Sequence, residues 1–538
     1  MHLNNYSDPY LNNLIDQIKK NGKLEEEVEF GIVEYKLRLD KCDDNSLKKL
    51  ESQMLWRINE GKLLYNAFRA YYVIGIQDDG QIGYVDIEII NKSINNLKKI
   101  CENAQLKIDY VFKYKYSDTY MLSICVIKKT ISKHLPEINI MLLGSTLTEK
   151  TTFLGNLCYD TIDDSLGKSK LLILKHKHEI NSGKTSSIHH EMIGLTNDKE
   201  IINYRNSSLD FNNSWDKIFN RSDYIINLFD TPGDNKFSKT TYNALFNINP
   251  EIVLLFTNAN DIKNNLNSLI EKIKILTDLN KKFYVICTSG NIKDIQNELI
   301  KNEILYDLTN LEETQDLLSN NIYYININNQ LEESFKKFHK LLVNNILDKD
   351  IFNINKHDKQ DNDTCFNIYE IFDIPILNKN IILSGKLISG IIEINKDYYL
   401  NNTKIKVINI HNKNIDCDKL FSGETGCLEI EFLEEKVNIN KYMTLNNNLN
   451  NIMNVNNIIV SIKQQNNLLL NSSDEIYIYS KYFSNNFIIE EKYYDNEHIL
   501  LKLKINQKIT YNKINLNINS KCLIKLGDNN LIVGELIM

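Results

Sequence analysis

The stretch Ile138-Asn139-Ile140-Met141-Leu142-Leu143-Gly144-Ser145-Thr146-Leu147-Thr148-Glu149-Lys150-Thr151 decides how the rest of the chain is read. Its first six residues form the short apolar run of a buried strand, and the residues from Thr152 onward suit a helix. A strand-to-helix turn that opens on glycine and closes on Lys-Thr has the pattern of a phosphate-binding loop. In such a loop, backbone N–H groups and the helix N-terminus wrap phosphates, the lysine meets the terminal ones, and the hydroxyl holds magnesium. Gly144, Lys150, Thr151 and Thr152 are therefore candidate nucleotide-binding residues, with Thr151 also a candidate magnesium ligand. Glu149 stands where the pattern has a glycine. A side chain there costs about 1–2 kcal/mol if the backbone turns left-handed. Its charge adds roughly 4 kcal/mol of repulsion about 4 Å from a phosphate charge at an effective dielectric of about 20. Taken alone, the loop does not separate a phosphate site from a plain strand-to-helix turn.

Working outward, short Ile/Leu/Val/Tyr-rich runs at 138–143, 224–229, 252–256, 283–287 and 322–327 alternate with amphipathic stretches. Ile262, Leu266, Leu269, Ile270 and Ile273 fall at helical spacing, as do Leu331, Phe335, Phe338, Leu341 and Leu342. Strands alternating with helices predict an α/β P-loop domain over 137–348, with a mostly parallel sheet and a ligand beyond the carboxyl ends of its strands. Upstream, residues 1–136 mix an alternating run at 32–39 with a helical one at 93–101, predicting a small α+β domain. Downstream, the polar stretch 349–364 reads as a linker. Beyond it the signals are strands and turns only, including Ser384-Gly385, Ser389-Gly390 and Gly423-Glu424-Thr425-Gly426. An Asn-rich gap near 446–457 divides this half into two expected β-barrels, 365–446 and 457–538, with the Asn runs as connectors.

The bulk properties agree with that layout. A chain of 538 residues exceeds what one core usually supports, so several domains are expected. With 42% apolar and 25% charged residues the composition is that of a soluble globular protein. A formal charge of -7 gives no global attraction to nucleic acid, so no DNA partner is expected, and an RNA partner would need a local basic face. Nine scattered cysteines without a CxxC pair read as reduced thiols of a cytosolic protein. The start, Met1-His2-Leu3-Asn4-Asn5-Tyr6, lacks a signal pattern, and no run has the length to span a bilayer. The expected location is cytoplasmic, without a membrane partner.

The second strand of the α/β region closes on Asp230-Thr231-Pro232-Gly233. A nucleotide fold needs an acid at that place to hold magnesium, and a glycine whose N–H can meet the terminal phosphate. DxxG alone is a weak signal, since acidic turns after strands are common. Its place after a phosphate loop strengthens it.

Between these motifs lies Lys175-His176-Lys177-His178-Glu179-Ile180-Asn181-Ser182-Gly183-Lys184-Thr185-Ser186-Ser187. His176, His178 and Glu179 lack helical ligand spacing, so a solvated loop fits better than a metal site. The segment closely resembles a signature of the GTP-binding protein 1 and 2 family of translational, elongation factor Tu-like GTPases. Under that resemblance it is the first switch, and Thr185 reaches magnesium and the terminal phosphate. The similarity extends to Val33-Glu34-Tyr35-Lys36-Leu37, Gln53-Met54-Leu55-Trp56-Arg57-Ile58-Asn59-Glu60-Gly61 and Ile74-Gly75-Ile76-Gln77-Asp78-Asp79-Gly80 upstream. Trp56 itself reads as core packing. Downstream, Lys236-Phe237-Ser238-Lys239-Thr240-Thr241 resembles the second switch. Leu383-Ser384-Gly385-Lys386-Leu387-Ile388-Ser389-Gly390 and Val407-Ile408-Asn409-Ile410-His411 resemble the first barrel, and 523–538 the close of the last.

Four positions in the nucleotide motifs, Glu149, Asp234, Ser289 and Asn291, depart from the family pattern. Besides Glu149, Asp234 stands where translational GTPases carry the histidine that orients the attacking water. An ionised aspartate there adds repulsion, so slow hydrolysis is expected. Thr288-Ser289-Gly290-Asn291 occupies the place of the guanine-reading Thr-Lys-x-Asp. An Asn amide offers guanine one acceptor and one donor where Asp offers two acceptors. The slipped alternative Asn291-Ile292-Lys293-Asp294 has the residue types in the wrong spacing. Asn328-Asn329-Gln330 lacks the usual last-loop signature, and 475–494 lacks the His-rich and Ser-Pro-rich segments that help related factors contact tRNA. Lys481, Lys492 and Lys502 could face RNA or solvent. The resemblance thus implies Mg2+ and GTP/GDP as ligands, weak hydrolysis and switch-driven docking of the barrels. The alternative is a pseudo-GTPase scaffold for ribosomes, tRNA or RNA-handling proteins.

Overall fold

The computed structural model describes residues 8–41, 44–65, 68–104, 106–129, 134–160, 167–198, 200–204, 215–290, 292–301, 322–324, 363–373, 380–400, 403–413, 415–434, 439, 443–448, 452–463, 474–480, 484–495, 498–512, 520–526 and 530–537. The chain divides into two compact units, Met1–Ser132 with Asn414–Asp418, and Lys133–Lys413 with Lys419–Met538.

The first unit is built on a four-stranded sheet in the order Val33–Lys36, Arg69–Ile74, Met121–Lys129, Leu106–Lys115. Side chains alternate across it, as strand geometry requires. Tyr72, Ile74, Cys125 and Ile127 face Met54, Ile58, Ile90 and Leu97 of helices Asp44–Tyr65 and Ile87–Asn103. Tyr71, Val73, Ile124 and Val126 face Leu11, Leu14 and Ile18 of helix Pro9–Asn21. The core reading of Trp56 is corrected here. Met54 and Ile58 take the inward positions of the helix, and Trp56 is 37% exposed, with the Arg57 guanidinium 4.9 Å from its ring.

The second unit begins with a seven-stranded sheet in the order Ile322–Tyr324, Phe283–Cys287, Ile252–Thr257, Glu137–Gly144, Tyr224–Asp230, His189–Leu195, Ile201–Ile202. The first five strands pair in parallel and the last two antiparallel. The mostly parallel α/β domain is therefore present. Strand His189–Leu195 was not legible, because it opens on His-His-Glu. Those polar groups are satisfied internally: His190 stacks on Phe229 with ring centroids 4.4 Å apart, and Glu191 is buried beside the hydroxyl of Tyr204.

Two six-stranded barrels follow. The first closes through Cys365–Asp373, Ile381–Ser389, Thr425–Phe432, Thr403–Asn412, Asp397–Leu400 and Thr444–Asn446. The second closes through Ile452–Lys463, His498–Asn512, Ser484–Asp495, Glu475–Tyr479, Ser520–Leu526 and Asn530–Ile537. Its first strand starts inside the Asn-rich gap, where Asn454 pairs with Thr510 and Asn457 with Lys504, so these asparagines serve as strand rather than connector. The expected linker up to 362 and the helical spacing at 331–342 lie outside the described residues. Among the described residues the cysteines are free, and no helix is long and apolar enough to cross a membrane.

Candidate functional site

Strand Glu137–Gly144 is buried from end to end. Gly144 leaves it at φ 148°, and a Cβ there would stand 2.4 Å from the Phe256 carbonyl oxygen, so only glycine fits. The loop then passes through two left-handed residues, Leu147 at φ 63° and Glu149 at φ 61°, before helix Lys150–Tyr159 begins, two residues earlier than expected. Each left-handed side chain costs about 1–2 kcal/mol, strain of the kind retained at functional sites. The loop is tied by the Thr148 hydroxyl donating to Ser145 O at 2.8 Å and by the Lys150 ammonium donating to Gly144 O and Ser145 O, each at 2.9 Å. Burial lowers the Lys150 ammonium to about 8, against the opposing pull of Asp230. Thr152 is buried in the first turn of the helix.

Thr151 opens that turn and meets two other elements. Its hydroxyl donates to Asp230 Oδ2 at 2.6 Å and lies 2.8 Å from the Thr185 hydroxyl, which is itself 3.5 Å from Asp230 Oδ2. Asp230 is fully buried at the end of its strand, and its Oδ1 has no hydrogen-bond partner. Burial raises its pKa, with Lys150 opposing. A buried carboxylate oxygen without a partner is costly. Two hydroxyls and a carboxylate converging on one point are the oxygen donors a hard divalent cation takes, so these residues fit magnesium. Among the described residues no group of His, Cys, Asp and Glu offers another metal site.

The solvated-loop reading of the first-switch segment is corrected. Residues Lys177–Ser182 form a short helix ended by Gly183 at φ 63°, whose N–H donates to Glu179 O at 2.7 Å. Glu179 is fully buried. Its Oε1 accepts from Ser186 N (2.7 Å), Ser186 Oγ (2.9 Å), Ser187 N (2.9 Å) and Ser187 Oγ (3.0 Å), while Oε2 lies 3.1 Å from His189 Nε2. Burial opposes ionisation of this carboxyl, but the serine hydrogen bonds and His189 together hold it down at about 2. The available signal was the adjacent hydroxyl pair Ser186-Ser187 downstream of a lone acid.

Gly233 packs directly on the loop: a Cβ there would stand 2.6 Å from Thr146 N. Asp234 caps the turn Asn235–Phe237, accepting from Lys236 N at 3.1 Å, with the Lys236 ammonium 3.8 Å from its other oxygen. At the base-reading corner, Thr288 N and Oγ1 both donate to Thr257 O, at 3.0 and 3.2 Å, so its hydroxyl serves the scaffold. Ser289 Oγ donates to Asn258 Oδ1 at 2.6 Å. Asn291 and residues 328–330 lie outside the described residues, as does Lys481. Lys502 is paired with Glu491 at 3.0 Å, and Lys492 is half-buried.

Residues 136–289 match the family described as the elongation factor Tu GTP binding domain. The chain is 29% identical to GTP-binding protein 2 of Homo sapiens over 261 residues, which cover 45% of this chain and 41% of that protein. It is 25% identical to GTP-binding protein 1 of Xenopus laevis over 211 residues, covering 39% and 31%. Its fold is similar to the Ski7 GTPase-like domain of S. cerevisiae, at a TM-score of 0.55 and 15% identity over 75% of this chain and 97% of that one. The fold is translational GTPase-like, with a region that matches the elongation factor Tu GTP binding domain followed by two barrels. Among curated proteins the chain is similar to members of the GTP-binding protein 1 and 2 family. It spans about two-fifths of the length of GTP-binding protein 2.

Proposed function

We propose that the chain binds GTP with magnesium at Gly144, Lys150, Thr151, Thr152, Thr185, Asp230 and Gly233, and turns it over slowly. The observation that carries this reading is the meeting of Thr151, Thr185 and the unpartnered Asp230 Oδ1, from three separate elements. Bound magnesium would neutralise phosphate charge there. Lys150 supplies the positive charge for the terminal phosphates, and Gly233 leaves its N–H close to them because no side chain intervenes. Slow turnover follows from Asp234, whose carboxylate caps its own turn and carries the wrong charge for orienting water beside a phosphate.

The barrels divide the work of docking. The first is held by the buried pair Lys413–Glu137 at 3.0 Å and by Lys386–Glu251 at 2.9 Å, which supports a fixed attachment. The second meets helix Ser238–Ile248, just beyond the second switch. There the Ser484 hydroxyl donates to Asn243 at 2.5 Å, Tyr479 lies 5.8 Å from Tyr242 and Lys239 stands 4.3 Å over Tyr477. The same helix also donates from Asn247 Nδ2 to Ile368 O of the first barrel at 3.4 Å, so a shift of that helix on nucleotide exchange would reach both barrels.

The test is calorimetric titration with GTP, ATP and XTP, with magnesium and with EDTA, on the chain and on Thr185→Ala. GTP-selective binding that Thr185→Ala weakens only in magnesium is expected. Equal and weak binding of all three would instead favour a pseudo-GTPase scaffold, the reading that the left-handed Glu149 and the capped Asp234 support. Glu149→Gly with Asn291→Asp should then improve binding. Ribosome co-sedimentation addresses the proposed partners, ribosome, tRNA or RNA-handling proteins, separately.

A further inference from the structure

We infer that Glu179 is the positioning residue of the first switch, holding Thr185 at the magnesium site before any nucleotide arrives. The inference rests on the reading of that site as a magnesium–nucleotide site, but its geometry stands independently. Segment 183–188 has neither helix nor strand of its own, so its position depends on what collects its polar groups. Glu179 collects them. One carboxylate oxygen takes both the N–H and the hydroxyl of two consecutive residues, Ser186 and Ser187, and the other faces His189, the first residue of the next strand. The two serine amides are thereby fixed immediately after Thr185. Upstream, the Gly183 N–H closes on the carbonyl of the same glutamate, so Glu179 clamps the segment on both sides of Thr185. A further bond, 2.7 Å between His178 Nε2 and Ser186 Oγ, ties the short helix to the same turn.

Every bond of the clamp joins two groups of the protein itself, and its consequence is the 2.8 Å approach of Thr185 to Thr151. A switch ordered in this way does not wait for the terminal phosphate to bring its threonine in. The cation then binds to a formed set of oxygens, and the ordering cost of the segment falls outside the binding step.

Two readouts test the inference, on the full chain. Hydrogen exchange of the Ser186 and Ser187 amides, measured without nucleotide, reads the clamp directly. Protection in the unmodified chain should fall at least ~10-fold in Glu179→Gln and further in Glu179→Ala, the scale set by losing charge-assisted hydrogen bonds. Ser187→Ala, which leaves the buried carboxylate partnered by Ser186, should show a smaller loss and serves if the Glu179 variants fold poorly. Mant-GTP titration reads the consequence: Glu179→Gln should weaken binding in magnesium by about tenfold and leave binding in EDTA unchanged. Unprotected serine amides in the nucleotide-free chain, or protection that survives Glu179→Ala, would overturn the inference. If the unmodified chain binds no nucleotide, the proposed function fails and the exchange data still decide the clamp.

Discussion

Replacing Glu149 by glycine should improve both folding and nucleotide affinity, through two separable terms. The backbone at Glu149 is at φ 61°, ψ 22°, where an L side chain costs about 1–2 kcal/mol and glycine costs none. Glycine also gains unfolded-state entropy, which takes back about 0.4–1 kcal/mol. The net expectation is stabilisation by about 0.5–1 kcal/mol. The second term is charge: a carboxylate about 4 Å from a phosphate repels it by about 1 kcal/mol in water and about 4 at an effective dielectric of about 20. Glu149 is half-buried, so a value of about 1.4 kcal/mol, or tenfold in affinity, is reasonable. Glu149→Gln separates the two, since it removes the charge and keeps the left-handed side chain. Urea unfolding without nucleotide should show the glycine variant more stable than the glutamine variant, which keeps the left-handed side chain. Calorimetry with Mg-GTP should show both variants binding about tenfold more tightly. A glycine variant no more stable than the parent, combined with unaltered affinity in both variants, would refute the reasoning about this position.

Asp234→His should raise GTP turnover by at least ~10-fold at unchanged affinity, because it restores a neutral proton acceptor beside the attacking water; single-turnover phosphate release measures it, and no rise would show that hydrolysis is limited elsewhere. Lys413→Met leaves Glu137 charged and buried, so urea unfolding should report a loss of about 3–5 kcal/mol, most of it recovered when Glu137→Gln is added. His190 is held down at about 3, chiefly by burial, against an ordinary value of 6.5. Between those values the unfolded chain binds a proton that the folded chain does not, so this group makes stability fall as pH drops from 6.5 toward 3. His190→Gln should reduce that slope by about 1.4 kcal/mol per pH unit, read from urea midpoints at pH 5 and pH 7. An unchanged slope would show that His190 does not titrate in this way.

The legible parts of this protein are those where one residue type suffices. Gly144 has no room for a Cβ, Thr151 needs a hydroxyl at the first helical turn, and Asp230 ends a strand that is apolar but for Asn227, so each announces itself by contrast with its neighbours. The same holds for the sheet strands Ile252–Thr257 and Phe283–Cys287, whose burial on both faces leaves near-continuous apolar runs. What could not be read are positions where polar residues are buried against one another. His189, His190 and Glu191 look like surface, yet the first meets Glu179, the second Asn227 and Phe229, and the third Tyr204. Lys413 sits 276 residues from Glu137, and nothing local in either stretch names its partner. Glu179 is the sharpest case. Its spacing from the neighbouring histidines argues against a metal site, but a residue excluded from one role is not thereby solvated. Its actual partners, Ser186 and Ser187, lie seven and eight residues away, across a glycine-ended turn that periodicity does not register. That turn is where the chain departs from helix and strand alike, and there a buried acid, rather than an apolar core, sets the position of Thr185.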